Sequence, residues 1–157
     1  MQFFPDDSLK EQDSLEYRSE EKLDENEREL IDLFSSLDER FEPMVVLVEG
    51  KRDEQVLRDL GVKAPIIRTQ SWRSRVQLFR HIERMVENKR GVVILTDFDR
   101  EGKEIKKEIA KELQILKIPL LTQARREIGK AMGNYRCIEE LVALFKKKDS
   151  PVPASDL

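Results

Sequence analysis

Two carboxylates one residue apart, Asp97 and Asp99, directly follow the apolar run 92–95, and Glu49 follows a second apolar run, 44–48. In extended backbone, side chains two residues apart point to the same side, so the two aspartates share a face. Three clustered carboxylates repel one another unless a cation lies among them. Hard oxygen ligands favour Mg²⁺ (or Mn²⁺), and a nearby glutamate is suited to moving protons. The pattern therefore predicts a metal site with acid–base capacity.

Simpler roles exist for each acid taken alone. Asp99 is well placed to cap the helix predicted after it, and Asp53 could do the same for another helix. Glu49 alone could be an exposed turn residue. A cap explains one acid at each helix start, but it does not explain an Asp-x-Asp pair together with a distant Glu-Gly. The combination favours the metal site.

The elements that must position these acids are four strand-like runs that alternate with helical patterns. The run 44–48 is apolar at every residue, which is typical of a parallel strand covered on both faces. We expect an α/β fold with about four parallel strands flanked by helices. If strands 44–48 and 92–95 are neighbours, their carboxyl ends bring the acids together. The strands are predicted at 44–48, 65–68, 92–95 and 118–121, and the helices at 53–60, 74–88, 102–116 and 138–146.

Charge is distributed unevenly along the chain. Residues 1–42 carry 15 acids and 5 bases, a net charge of -10, and residues 43–157 carry +7, which together give -3. A basic body suggests that it meets polyanions, although a Lys/Glu-rich surface explains the same counts. We expect an acidic N-terminal arm over 1–42, disordered to about 22 and then helical over about 24–40. The domain would cover 43–148, followed by a loose tail over 149–157.

Composition excludes several classes of site. Cys137 is the single cysteine, and there is no Cys/His cluster for zinc. The glycine-rich loops that bind nucleotides are absent, so no nucleotide cofactor is expected. No apolar run approaches membrane-spanning length, which predicts a soluble, cytoplasmic protein without a membrane partner.

The segments VEGKRDEQVL and ILTDFDREGKEI resemble the two signature blocks of the Toprim domain, which topoisomerases, bacterial-type primases, certain nucleases and the maturase of 5S ribosomal RNA share. The likeness covers residues 44–121 and is greatest to small standalone Toprim proteins of the archaeal type. It implies a Toprim/Rossmann-like fold, with Glu49 as acid/base and metal ligand and Asp97 and Asp99 as the metal-binding pair. It also implies accessory roles for Gly50, Lys51, Asp53, Arg100 and Gly102.

The chain departs from the larger members of that family. Topoisomerases need a strand-cleaving tyrosine in a separate domain, and here only Tyr17 and Tyr135 exist. Primases need a zinc module and a basic polymerase subdomain, for which this length leaves no room. Neither activity is expected.

Basic residues gather in two places outside the acidic motifs. Near the predicted helix 74–88 these are Arg73, Arg75, Arg80 and Arg84. A predicted loop over 122–136 adds cations and an aromatic side chain, which suit single-stranded or looped RNA: Arg125, Arg126, Lys130, Tyr135 and Arg136. A lysine stripe on helix 102–116 has glutamates three residues before two of its members, which favours a salt-bridged, solvated face.

The sequence thus predicts a protein that binds RNA and Mg²⁺ in RNA processing or metabolism, with metal-dependent endoribonuclease activity as one possibility. The alternative is a non-catalytic RNA-binding or adaptor subunit of an RNA-processing complex. Intact acidic residues favour metal binding, but metal binding is not turnover. The residues leave the choice between the two open.

Overall fold

The computed structural model describes residues 15–146, so the predicted start of the arm at 1–14 and the predicted tail at 149–157 lie outside the described residues. Helices and strands alternate through most of this range, and short 3₁₀ helices lie at Glu20–Lys22, Thr69–Ser71 and Ile138–Leu144. The main elements are α1 (Glu25–Ser35), α2 (Leu37–Phe41), β1 (Met44–Val48), α3 (Lys51–Asp59), β2 (Ile66–Arg68), α4 (Arg75–Met85), β3 (Gly91–Ile94), α5 (Arg100–Ile115) and α6 (Thr122–Ala131).

The sheet has three parallel strands in the order β2-β1-β3. Strand β1 is therefore central, and every one of its residues is buried. The register pairs Val46 with Ile66 on one side and with Val93 on the other. The predicted α/β class with a parallel sheet is confirmed. The two strands that end in acids are neighbours, which the sequence alone had left as a condition.

The predicted fourth strand over 118–121 is reduced to one bridge. Only Leu120 pairs with β3, opposite Val92. The Val92 N–H donates to the Pro119 carbonyl (2.9 Å), and Val92 accepts from the Leu121 N–H (2.8 Å). Pro119 itself has no N–H to continue a ladder, and α6 begins at Thr122. The prediction of about four strands was one strand too many.

Three helical predictions also differ from the structure. The helix expected over 24–40 is divided into α1 and α2 at Ser36, whose hydroxyl donates to the Asp32 carbonyl and competes with the helical pattern. The helix expected over 138–146 is a 3₁₀ helix. The loop expected over 122–136 is largely helix α6, which buries Ala124, Ile128 and Ala131 at helical spacing.

Alternate residues of the sheet bury into two separate cores. Met44, Val46 and Val48 of β1 contact the core formed with α1, α2, α3 and α6. Val45 and Leu47 contact the opposite core, formed with α4 and α5. Helices therefore cover both faces of the sheet, and the polar side chains are left at the ends of its strands.

The two ends of the described chain meet. Tyr17 and Phe145 form an antiparallel bridge, and their rings stack with centroids 4.7 Å apart. Backbone hydrogen bonds from Arg18 to Leu144 (2.9 Å) and from Lys146 to Glu16 (2.7 Å) frame the bridge. We call this contact the terminal clasp. Residues 15–22, which the sequence predicted to be disordered, thus carry defined contacts.

Helices α1 and α2 lie in the same core as β1, through Leu30, Phe34, Leu37 and Phe41. The division of the chain at residue 42 into arm and domain stays a prediction. Within residues 15–146, no helix has the length and apolarity needed to cross a membrane.

Candidate metal centre

Glu49 and Asp97 meet where β1 and β3 end. Glu49 follows the last residue of β1, and its Oε2 accepts a hydrogen bond from the Asp97 backbone N–H (2.8 Å). This contact exists because the two strands are neighbours in register, with Leu47 opposite Ile94. A side chain from one strand end therefore holds the backbone of the other.

The two aspartates are held by different backbone groups. Asp97 Oδ1 accepts from the Ile138 N–H (2.8 Å), which comes from the 3₁₀ helix far along the chain. Asp99 caps α5, and its Oδ1 accepts from the Gly102 N–H (2.7 Å). The simple role foreseen for Asp99, a helix cap, is thus present together with its place in the cluster.

Gly102 allows the turn between β3 and α5 to close tightly. A Cβ at this position would lie 2.1 Å from the Asp97 carbonyl oxygen and 2.8 Å from the Asp97 Cα. Both neighbours are backbone atoms that cannot rotate away. The buried hydroxyl of Thr96 donates to the Gly102 carbonyl (2.8 Å) and joins the same turn. Any side chain at 102 would push Asp97 out of place.

The turn after β1 is built in a looser way. Asp53, which is buried, accepts from the Gly50 N–H with its Oδ2 (3.0 Å) at the start of α3. A Cβ on Gly50 would meet side-chain atoms alone, the Oε1 of Gln70 at 3.1 Å and the Oδ2 of Asp53 at 4.0 Å. Lys51 and Arg100, the first residues of α3 and α5, are both exposed. The predicted accessory residues are thus divided between the two turns.

Burial and crowding shift the ionisation of the acids. Burial raises the pKa of Glu49, and the nearby carboxylates of Asp97, Asp53 and Asp99 raise it further, against the lowering effect of the Asp97 N–H. Burial likewise raises the pKa of Asp53, with Asp97 contributing. Negative charge in this cluster is therefore costly without a cation.

The donor atoms fit a hard divalent cation. Each carboxylate of Glu49, Asp97 and Asp99 uses one oxygen to accept from a backbone N–H, which fixes its orientation. The second oxygens of Glu49 and Asp97 are left for another partner, and that of Asp99 accepts only from the Cys137 thiol among the described residues. Oxygen atoms of Asp97 and Asp99 and the Sγ of Cys137 all lie within 4.8 Å of one another. Carboxylate oxygens oriented in this way suit Mg²⁺ or Mn²⁺.

Cys137 was not foreseen as a neighbour of the acids. Its thiol donates to Asp99 Oδ2 (3.6 Å), and burial together with Asp97 and Asp99 raises its pKa to about 12. A lone cysteine with no nearby ligand motif gave no signal in the sequence. Only the return of the chain to the sheet after α6 brings it there.

Arg125 was predicted on a loop, but it lies on α6 and is half-buried. Its guanidinium donates to the carbonyls of Ile94 (3.1 Å), Thr96 (2.7 Å) and Asp97 (3.1 Å). It lies 4.2 Å from the centre of the Phe98 ring, and burial lowers its pKa to about 10. Arg125 therefore stabilises the end of β3 from behind the acids, and a contact with nucleic acid stays a prediction.

The other predicted nucleic-acid residues fall on two separate surfaces. Arg73, Arg75, Arg80 and Arg84 are exposed along or just before α4, and Arg75 pairs with Glu108 (2.7 Å). The second surface, on and after α6, exposes Arg126, Lys130 and Arg136.

Tyr135 on this second surface is half-buried. Its hydroxyl donates to Glu27 Oε2 (2.7 Å). Burial and Glu27 together raise the pKa of Tyr135 to about 12. The ring thus lies against α1, and its predicted stacking on a base stays untested.

Comparison with known proteins places these features in a family. The model of the Toprim domain matches residues 44–130, more than half of the chain. A UPF0292 protein of Thermococcus gammatolerans is 39% identical over 124 residues, which cover 78% of this chain and 88% of that protein. A UPF0292 protein of Methanocaldococcus jannaschii is 31% identical over 129 residues, covering 81% and 98%. A solved structure of a protein from Aquifex aeolicus has a TM-score of 0.56 at 25% identity and covers 72% of this chain and 95% of its own.

Proposed function

Because this chain belongs to the Toprim domain family, we propose that it binds RNA and Mg²⁺ (or Mn²⁺) and cuts phosphodiester bonds in RNA processing. A Toprim domain implies metal-dependent work on nucleic acid, and its match to residues 44–130 includes all three acids. The predicted resemblance to small archaeal Toprim proteins is confirmed by the similar UPF0292 proteins. RNA as the target and cleavage as the reaction are our proposals.

The convergence of Glu49, Asp97 and Asp99 on one sheet edge is the observation that carries this proposal. Backbone N–H groups from two parts of the chain, the turn after β3 and the 3₁₀ helix at Ile138, hold one oxygen of each carboxylate. Such preorganisation is what a metal site requires of its ligands. A set of independent helix caps would not need the Glu49–Asp97 contact.

The roles of the residues follow from their positions. Asp97 and Asp99 would hold the cation with their second oxygens, and Glu49 would contribute a ligand or move a proton to the leaving oxygen. When bound, a divalent cation polarises phosphoryl oxygens and neutralises developing charge. Lys51 and Arg100, exposed at the first residue of α3 and α5, would orient the phosphate, and Arg125 would keep the β3 end rigid.

A nucleic-acid substrate is favoured by the exposed cations on and after α6. Arg126, Lys130 and Arg136 are exposed on and after α6, the helix whose Arg125 donates to the Asp97 carbonyl. Such cations would hold phosphates next to the one that reacts. The reaction would take place in the cytoplasm.

One observation favours the second candidate, a non-catalytic RNA-binding adaptor. Glu49 is the proposed acid/base, yet its Oε2 is already used to hold the Asp97 N–H. A glutamate with that structural duty could maintain the site without transferring protons. The same scaffold would then bring RNA to a processing complex.

The test combines cleavage and retention on the same labelled RNAs. Structured and unstructured RNAs would be incubated with the unaltered protein, Glu49→Gln and Asp97→Asn/Asp99→Asn, with and without Mg²⁺ or Mn²⁺. We expect metal-dependent cutting that falls by about 100-fold or more in Glu49→Gln, the range for loss of a general acid or base. Lys63→Gln is the control, because this exposed residue precedes β2 and therefore lies at the opposite end of the parallel strands from the acids.

Retention of RNA without cutting in any metal would exclude the nuclease and leave the adaptor. If neither retention nor cutting occurs with any RNA, both candidates are wrong. A matching DNA substrate that is cut faster than RNA would reject RNA as the target but keep the metal site.

A further inference from the structure

A concave surface lies between α5 and α6. It has a volume of about 520 Å³ and runs over the edge of β3, where Leu120 is the only pairing partner on that side within the described chain. We call it the basic groove. Its floor is apolar and its rim is cationic, with lysines from α5 on one side and Arg126 from α6 on the other.

The floor of the groove consists of side chains from the sheet edge and the connection after α5. Val92, Ile94, Leu120 and Leu121 line it, together with Phe98. Phe98 comes between the two aspartates in sequence, and it is the part of the groove nearest to them along the chain; Glu49, Asp97 and Asp99 do not line the groove.

The cations of the rim have few acidic partners. Among residues 15–146, no carboxylate oxygen lies within 4.0 Å of the charged nitrogens of Lys103, Lys106 or Arg126. Lys107 has Glu104 at 3.9 Å, with both side chains largely exposed. The salt-bridged face expected for this helix from its sequence is therefore present only weakly, at Lys107.

The groove continues toward the end of α6. A second depression of about 300 Å³ shares Phe98, Lys103, Arg126 and Gly129 with the first and adds Lys130 and Arg136. The cations of the two depressions thus form one continuous track. A series of cations of this kind is suited to several consecutive phosphates of a single strand.

The face of α4 differs in its charge balance. Arg75 there is paired with Glu108 at 2.7 Å, and the depression beside it is lined by Glu83, Glu108 and Glu112 as well as by cations. Acids so close to a phosphate backbone would oppose its binding. The α4 arginines are thus the weaker of the two predicted surfaces.

From these contacts we infer that the basic groove is the binding track for a single RNA strand and that its apolar floor receives an unpaired base. This inference rests on the proposed function and names the form of RNA that the same site takes. Cations on the rim neutralise phosphates, while the floor removes the face of one base from water. A paired base could not reach the floor, so unpaired RNA is preferred over duplex.

The test measures binding separately from cleavage. Fluorescence anisotropy of a labelled oligouridylate in EDTA would be recorded over a salt series for the full chain. Lys103→Glu/Lys106→Glu is compared with Arg80→Glu/Arg84→Glu, which makes the same charge change on α4. Lys107→Glu/Arg126→Glu is a second groove variant, in case the first fails to fold.

We expect the groove variants to weaken binding by about tenfold or more and to lower the slope of log affinity against log salt by about 0.7 for each lost phosphate contact. The affinity of the α4 variant for the oligouridylate should stay within about twofold of that of the unaltered protein. An oligonucleotide with abasic positions should bind about tenfold less tightly, and an RNA duplex should also bind less tightly.

Three results would overturn the inference. The α4 variant could lose as much RNA affinity as the groove variants. Abasic and normal oligonucleotides could bind equally tightly, or the duplex could bind more tightly than the single strand. Groove variants that bind RNA normally would leave the groove to another partner, such as a protein strand on the β3 edge. Absence of RNA binding by the unaltered protein would instead reject the proposed function together with the inference.

Discussion

The two turns that follow β1 and β3 place acids at the same edge of the sheet but are built differently. After β1, the residue that reaches the cluster is Glu49, and a separate residue, Asp53, lies inside the first turn of α3 and accepts from the N–H of the N-cap residue Gly50. After β3, Asp99 is both the cap and a member of the cluster. The β3 turn therefore couples site geometry to helix position, whereas the β1 turn separates the two functions.

The glycines of the two turns, Gly50 and Gly102, differ in the same way. Gly102 has backbone atoms where a Cβ would be, and Gly50 has only side-chain atoms nearby. The Glu-Gly and Asp-x-Asp-x-x-Gly motifs look equivalent in the sequence. In the structure, the turn at Gly102 leaves no room for a side chain, whereas the turn at Gly50 can accommodate one. Substitutions in the two turns can test this distinction directly.

The largest effect is expected from Gly102→Ala. The added methyl would lie 2.1 Å from the Asp97 carbonyl oxygen, so the start of α5 must move away from β3. We expect the free energy of unfolding to fall by about 3 kcal/mol or more. Chemical denaturation measures this loss, and Mn²⁺ titration should show that the metal affinity falls with it. An unchanged free energy of unfolding would show that a methyl group fits at residue 102, which would contradict the close contact with Asp97.

A change in the opposite direction is expected from Asp97→Asn without metal. The amide keeps an oxygen for the Ile138 N–H but removes a charge that raises the pKa of Glu49 and Asp53. The metal-free protein should therefore be more stable, by an amount on the order of 1 kcal/mol, while its affinity for Mg²⁺ falls about tenfold or more. Thermal unfolding with and without Mg²⁺ measures both. If Asp97→Asn is less stable than the unaltered protein in EDTA, repulsion among the carboxylates does not destabilise the metal-free protein.

Asp53, in the turn after β1, should make the stability of the protein depend on pH. Its pKa is raised mainly by burial, so the folded protein holds this proton at a pH where the unfolded chain has released it. The stability it contributes is present below the ordinary pKa of 3.8 and is lost as pH rises through the raised value. In EDTA, stability should decline over that window, and Asp53→Asn should remove part of the decline. Parallel pH profiles for the two proteins would show that Asp53 contributes nothing to it.

The smallest effect is expected from Gly50→Ala. The backbone at Gly50 is extended, which any residue adopts, and Gln70 can rotate away from the new methyl. We expect the free energy of unfolding to change by less than about 1 kcal/mol and metal affinity to stay within about twofold. A loss as large as that of Gly102→Ala would mean that the two turns are equally rigid.

Local patterns were enough to predict the acidic edge of the sheet. The fully apolar run 44–48 predicted a parallel strand covered on both faces, and the acids after two strands indicated a metal site if those strands were neighbours, as they are. Both signals depend on residues close in sequence, where side-chain alternation and burial act directly. The Toprim resemblance, confirmed by the family match, rests on the same two blocks.

The parts of the site that depend on distant contacts could not be predicted. Gly129 and Gly133 made 122–136 resemble a loop, but Gly129 is helical and gives room to the Phe98 ring, 3.0 Å from where its Cβ would be. The same helix turns Arg125 inward to the carbonyls of β3. Cys137 and the Ile138 N–H reach the aspartates only because the chain crosses back after α6, which no local pattern shows.

The terminal clasp has a consequence for how the chain can be rearranged. Because residues 16–18 pair with residues 144–146, the two ends of the described chain could be joined by a short linker without disturbing the sheet. A circular permutant could then be opened at Gly61, an exposed turn residue between α3 and β2 where an added Cβ would meet no atom within 4 Å. In such a rearranged protein Asp97 and Asp99 would precede Glu49 along the chain, while the sheet would still bring all three acids to the same edge.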